Sequence, residues 1–172
     1  LDQRIETRFH NGTTTQARFD DMGARTAAID QESIRAAHGY DKLGRLNSVK
    51  ALVTVDGGEL PATTYGYDQV GNKLSQTDAN GHTTTWAYDS QGRITRRTLP
   101  EGQNETFHYD DAARTQTHTD FNGDVTTTTY DLMGRVGRID YGKDNTFEAF
   151  TYWPSGQQKS VTDVNGGITE YH

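Results

Sequence analysis

Residues 83–93 read TTTWAYDSQGR, and residues 126–135 read TTTTYDLMGR. The two phrases set Tyr88 and Tyr130 42 residues apart, and Tyr109, again followed by aspartate, lies midway. The phrase therefore has a period of 21 residues. Aligned on an aromatic residue followed by D-x-x-G-R or a variant, the copies begin with FDDMGAR at Phe19, YDKLGRL at Tyr40 and YDQVGNKL at Tyr67. They continue with YDSQGRI at Tyr88, YDDAART at Tyr109, YDLMGRV at Tyr130 and YWPSGQQ at Tyr152. The steps between these aromatics are 21, 27, 21, 21, 21 and 22 residues, and Tyr171 follows after 19 more. Self-similarity at a fixed spacing is the signature of a repeat architecture. Residues 1–172 are thus expected to form a single array of about eight such units. The long step implies an insertion at about 50–63, and insertions in repeat proteins map to loops. Two copies are worn: Ala113 stands where glycine is expected, and Trp153 where aspartate is expected.

A second turn signal lies out of phase with the first. Asp78-Ala79-Asn80-Gly81, Asp120-Phe121-Asn122-Gly123 and Asp163-Val164-Asn165-Gly166 share the pattern D-x-N-G, and His10-Asn11-Gly12 and Pro100-Glu101-Gly102 occupy the same slot. Asn-Gly between β-prone runs predicts a hairpin with a type I′ turn. In Y-D-x-x-G the aspartate can bond the backbone two residues on, while the glycine takes the left-handed position. Two turns per unit leave room for two strands of about six or seven residues, each about 20 Å long. The alternation of faces puts Tyr65 with Tyr67, Trp86 with Tyr88, Phe107 with Tyr109, and Phe150 with Tyr152. The expected fold is all-β: a continuous antiparallel sheet of repeated hairpins with one aromatic and aliphatic stripe. IDQESIRAAH at 29–38 is the stretch with most helical character, and even it sits in the slot of a strand–turn–strand unit.

Composition bounds the function. Apolar residues make up 31% of the chain, below the roughly 45–50% of an ordinary globular protein. Nine tyrosines, six phenylalanines and two tryptophans nevertheless argue against disorder, because aromatics and threonine suit a pleated, half-buried surface. A net charge of −7 disfavours a nucleic-acid partner, which needs a positive field. No apolar run approaches the length of a membrane-spanning helix, and LDQRIETRFH does not read as a signal peptide. The chain has no cysteine, which excludes disulfides and thiolate metal sites.

Y-D-x-x-G-R at this period resembles the YD repeat, also called the RHS repeat; YDKLGRL, YDSQGRI and YDLMGRV carry the likeness. The family includes bacterial Rhs and wall-associated polymorphic toxins, the C component of insecticidal toxin complexes, and animal teneurins. The resemblance implies a β-sheet that spirals into a hollow shell, around a C-terminal toxin in the bacterial members. The repeats would then be structural, with no catalytic residue, cofactor or metal. Partners would be the rest of the shell and its enclosed cargo, with self-association through open sheet edges. Localisation would be secreted or at the cell surface through the parent protein, by a bacterial secretion system. None of Pro61, Pro100 and Pro154 follows an aspartate, so the family's Asp-Pro autoproteolytic segment is missing. The chain also begins and ends within a repeat, and is expected to be a piece of a longer protein.

The residues expected to build the repeat are Tyr40, Asp41, Gly44 and Arg45; Tyr67, Asp68 and Gly71; and Tyr88, Asp89, Gly92 and Arg93. Tyr109 and Asp110 follow, then Tyr130, Asp131, Gly134 and Arg135, then Tyr152 and Gly156. The arginines are expected to pair with nearby aspartates or stack on tyrosines, and the tyrosines to be mostly buried against neighbouring strands. The D-x-N-G copies lack the continuation of a calcium loop and read as turns. His108 and His118 flank one turn and are read as a polar surface pair able to face each other across the hairpin. The alternative function is a cell-surface or carbohydrate-binding module that uses the aromatic stripe.

Overall fold

Among the described residues, strand follows turn because β-prone runs alternate with the two turn signals. The computed structural model describes residues 3–31, 35–52 and 62–172. Within Leu1–Thr85 the strands are β1 (Gln3–Arg8), β2 (Thr14–Phe19), β3 (Arg25–Ile29), β4 (Arg35–Tyr40), β5 (Leu46–Leu52), β6 (Thr63–Tyr67) and β7 (Lys73–Thr77). Strand β8 (Thr83–Tyr88) reaches the second unit, Trp86–His172. That unit continues with β9 (Ile94–Thr98), β10 (Asn104–Asp110), β11 (Thr115–Thr119), β12 (Val125–Tyr130), β13 (Val136–Tyr141), β14 (Thr146–Tyr152), β15 (Gln158–Thr162) and β16 (Ile168–Glu170). The strands follow one another in chain order in one open antiparallel sheet, each bonded to the next, with β1 and β16 at its ends. The described residues contain no helix, and 29–38 is no exception: Ile29 ends β3 and Arg35–His38 lie in β4. Local propensity there gives way to the ladder on either side. Residues 53–61, the heart of the proposed insertion, lie outside the described residues.

Both turn signals give the same turn, and it is not type I′. In the turn after Tyr88, the Gly92 N–H donates to the Asp89 carbonyl at 3.1 Å and the Asp89 N–H to the Arg93 carbonyl at 2.9 Å. The D-x-N-G turn at Asp78 repeats this, with Gly81 to Asp78 at 3.0 Å and Asp78 to His82 at 2.9 Å. Only the glycine is left-handed (φ 79° at Gly92, 86° at Gly81); Asn80 is not. This is the three-residue hairpin loop, a type I turn closed by a left-handed glycine. Asparagine is present as a turn former, not for a positive φ.

The Y-D turns carry one further feature. Opposite the motif aromatic the register slips by one residue, at Phe19, Tyr40, Tyr67, Tyr130 and Tyr152. The extra residue on the return strand is a β-bulge, which bends the strand and re-aims its side chains. The worn copy at Tyr109 has no bulge: Tyr109 pairs with Gln116 and Asp110 with Thr115. Here the left-handed residue is Arg114, φ 55°. A four-residue loop without a bulge sets the same pairing away from the turn as a three-residue loop with one, so the ladder continues undisturbed.

Successive hairpins are offset. Gly39, Ser48 and Thr64 lie in line across three strands, which puts Tyr40 level with Tyr65 and leaves Tyr67 two residues further along. Tyr109, Gln116 and Thr128 line up in the same way, with Tyr130 again two residues beyond. Each motif tyrosine therefore sits past the end of the preceding repeat's ladder, beside its turn.

No hydrophobic side chain is fully buried among the described residues. The tyrosines, expected to be mostly buried, are not, because a single layer of sheet has no second layer to bury them. Alternation is still visible on β8, where Trp86 and Tyr88 are half-buried and Ala87 is exposed. At the left-handed position of the Y-D turn, Gly134→Ala is expected to cost about 1 kcal/mol, because a side chain disfavours positive φ. Urea unfolding of the variant against the parent chain measures it; an unchanged midpoint would contradict the left-handed assignment.

Candidate functional site

The feature that recurs with the same chemistry is the rung where one Y-D turn meets the next repeat. It begins with the aspartate. Asp41 Oδ1 accepts the Leu43 N–H at 2.9 Å and the Arg45 N–H at 3.0 Å. Asp89 does the same for Gln91 and Arg93, both at 2.9 Å, and Asp131 for Met133 and Arg135, at 2.8 and 3.0 Å. The second oxygen faces the arginine: Arg45, Arg93 and Arg135 each donate Nε to Oδ2 at 2.6, 2.7 and 2.7 Å. The repeat at Tyr67 has Asn72 instead, whose Nδ2 donates to Asp68 Oδ2 at 2.8 Å. Asn72 was absent from the expected set, although it stands in the arginine slot of YDQVGNKL.

The arginine then reaches the next repeat. Its guanidinium lies over the next tyrosine ring, at 4.9 Å for Arg45 on Tyr67, 4.3 Å for Arg93 on Tyr109 and 4.3 Å for Arg135 on Tyr152. The tyrosine answers with its hydroxyl. Tyr67 donates to the Leu46 carbonyl at 2.8 Å, Tyr109 to Ile94 at 3.0 Å and Tyr152 to Val136 at 2.8 Å. Tyr40 makes the equivalent bond to Arg25 at 2.9 Å. The offset of successive hairpins brings each hydroxyl to this carbonyl. In these rungs guanidinium stacks on tyrosine, and the tyrosines are half-buried rather than mostly buried.

The remaining expected residues sit at matching positions. Tyr88 ends β8, and Tyr130 ends β12. Gly44, Gly71 and Gly156 take positive φ. Asp110 departs from the pattern, accepting only the Ala113 N–H, at 2.8 Å. Asp111 instead takes Arg93 Nη1 at 2.7 Å. His108 and His118 do not face each other: His118 pairs with Phe107 and His108 with Thr117, on opposite faces. His118 stacks on Phe107 with ring centroids 4.5 Å apart and meets Glu105 Oε2 at 2.9 Å. Glu105 is the one buried polar side chain among the described residues. The sequence reading passed over it, though it precedes Phe107 and Tyr109 at spacing two on the same face. No group of three or more histidines, aspartates and glutamates able to hold a metal occurs among the described residues.

The turn hydrogen bonds set the carboxylate chemistry. The backbone N–H of Arg45 does most to hold Asp41 below the usual carboxylate value, and the backbone N–H groups of Arg93 and Arg135 do the same for Asp89 and Asp131. Desolvation opposes this in all three. Asp78 and Asp120 are likewise lowered, first by the N–H groups of His82 and Asp124.

The profile of the RHS Repeat family matches residues 67–104 and 88–125. Residues 67–125 are RHS repeats. The copies outside this RHS segment share its turn chemistry, from Asp41 to Asp131. Among curated proteins nothing matches the chain. Solved structures share its fold. A mutant Tc holotoxin pore of Photorhabdus luminescens superimposes with a TM-score of 0.70 at 17% identity, over 94% of this chain and 10% of that one. A TcdB2–TccC3 complex without its hypervariable C-terminal region gives 0.68 at 15% identity, over 94% and 10%. A further TcdB2–TccC3 complex gives 0.68 at 16% identity, over 99% and 11%. The chain spans about a tenth of the length of the chains it resembles.

Two measurements test the rung. Tyr67→Phe and Tyr152→Phe are each expected to lose about 1 kcal/mol, one hydrogen bond's worth. Tyr130→Phe should lose much less, since its hydroxyl reaches only Gln116 Oε1 at 3.4 Å; equal losses in chemical denaturation would refute the assignment. The lowered aspartates give the second. A group whose folded pKa is depressed adds stability above its unfolded value, about 3.9, and loses it as pH falls through the folded value. Melting temperature followed by circular dichroism should therefore fall below about pH 4. Asp131→Asn should lower it at pH 7 and make the acid decline shallower, whereas an unchanged acid slope would show that the turn carboxylates do not drive it.

Proposed function

We propose that this chain is a non-catalytic wall segment of a larger RHS-repeat shell, and that the shell encloses a C-terminal toxin or effector of the same polypeptide. The observation that carries this reading is the rung: the Y-D turns at Asp41, Asp89 and Asp131 each hold an arginine that lies over the tyrosine of the next repeat. The motif tyrosines, aspartates, glycines and arginines act as fasteners, and the array extends as a single series of units through residues 1–172. The strand order supports the same view, since a sheet that adds hairpins in sequence can be lengthened at β1 and β16 without changing its interior. Both end strands are exposed along their length, and unpaired edges invite further strands. In the parent those strands are neighbouring repeats; in isolation the edges lead to self-association. The cargo and the rest of the shell are the partners, and export with the parent gives the localisation. A similar TcdB2–TccC3 complex was solved without its hypervariable C-terminal region, which fits a constant wall around a variable content.

The carbohydrate-binding alternative finds less support, because Arg45, Arg93 and Arg135 cover the ring faces a sugar would need on Tyr67, Tyr109 and Tyr152. Electron cryomicroscopy of the complete polypeptide is the test. The expected image is a hollow, sheet-walled particle that contains these residues in its wall and shields a C-terminal segment from added protease. Residues 1–172 projecting as a separate module, with the C-terminal segment cleaved as fast as a free peptide, would overturn the proposal.

A further inference from the structure

In complete rungs a guanidinium fills the space between one repeat and the next, held by the turn aspartate and laid over the following tyrosine. The rung from Tyr109 to Tyr130 lacks it. Ala113 occupies the glycine slot, and the left-handed conformation moves to Arg114. Arg114 consequently turns away: its Nε donates to the Tyr130 carbonyl at 3.3 Å, and no guanidinium covers the Tyr130 ring among the described residues. Asp110 keeps its turn bond to Ala113 and has no cationic partner among the described residues. A cavity of about 370 Å³ opens here, its wall including Asp110, Arg114, Gln116, Tyr130 and Leu132. The other two carboxylates on that wall are engaged, Asp111 by Arg93 and Asp131 by Arg135.

We propose that this cavity binds a guanidinium cation supplied in trans, the side chain of an arginine on a peptide segment lying along the Y-D turn edge. The neighbouring rungs show what the space accepts: a planar cation that meets a carboxylate with one edge and an aromatic ring with its face. Asp110 and Tyr130 supply those two groups and lack the cation. A guanidinium matches them better than an ammonium, which is a compact, more strongly hydrated charge without a stacking face. One exposed contact of this kind is weak, with a dissociation constant on the order of millimolar for a single residue, and tightens when the arginine is part of a longer bound segment.

Nuclear magnetic resonance titration of the isotope-labelled chain tests the proposal, with N-acetyl-arginine amide, N-acetyl-lysine amide and methyl glucoside as probes. The arginine probe is expected to shift the amides of residues 110–116 and the Tyr130 ring saturably, with the lysine probe at least threefold weaker. Asp110→Asn keeps the oxygen that caps the turn and should weaken binding at least fivefold. Ala113→Gly restores the D-x-x-G turn, lets Arg114 occupy the rung and should abolish binding; the pairing of Phe107 with His118 should persist, because both turn types set the same register. Three results would each overturn the site: glucoside shifting it while arginine does not, undiminished affinity in Asp110→Asn, or full binding retained in Ala113→Gly.

Discussion

A carboxylate oxygen that accepts at least two backbone N–H groups at once holds eight turns among the described residues, headed by Asp20, Asp41, Asp68, Asp78, Asp89, Asp120, Asp131 and Asp163, and the links between repeats depend on it. The Asp41, Asp89 and Asp131 side chains close their own turns. In doing so they fix where the following arginine begins. That arginine binds back to the second carboxylate oxygen and forward to the next tyrosine, so a local turn becomes a long-range fastener. A charged hydrogen bond is shorter and stronger than a neutral one, which suits a structure with few apolar contacts. In a single-layer sheet without a buried hydrophobic side chain among its described residues, cohesion has to come from the backbone ladder and from these polar links between hairpins.

Repetition explains why the links can be so uniform. Hairpins meet with a matching offset, and the hydroxyls of Tyr40, Tyr67, Tyr109 and Tyr152 find the same carbonyl, six residues after the aromatic of the repeat before. In such quasi-one-dimensional proteins stability is a sum of unit and nearest-neighbour terms. A single imperfect unit is therefore tolerated, as at Ala113, where a longer loop replaces a bulge and leaves the ladder intact. Tyr141–Thr146 shows the same tolerance at the opposite turn, with Asn145 left-handed at φ 52°. The cost of the defect at Ala113 is local: one rung loses its cation and opens a cavity.

Much of the fold could be read from the chain, for identifiable reasons. The strands and their order follow from the turn spacing, because two turns per unit admit only a meander. Ile29 and Arg35–His38, in the stretch of most helical character, take the strand positions that the repeat assigns them, since the ladders on β3 and β4 outweigh local propensity. The type I′ expectation failed because Asn-Gly also fits a type I turn closed by glycine, and the aspartate at the head of the motif favours that one. Glu105 was missed because its importance comes from Arg97 and His118, which the register brings beside it.

The sequence by itself determined the period, the strand–turn alternation, the positions of the left-handed glycines and the residues that make each turn. These are local properties, fixed within a few residues by hydrogen bonding and φ preference. Only the tertiary structure decided what the turns are for. The offset between hairpins brings Arg93 over Tyr109 and the Tyr109 hydroxyl to Ile94. Those contacts join residues 15 or more apart, and cross-strand register, which places them, is a property of the paired sheet and not of either strand. The same register leaves Tyr130 without its guanidinium, although Arg114 stands in the expected slot of the sequence.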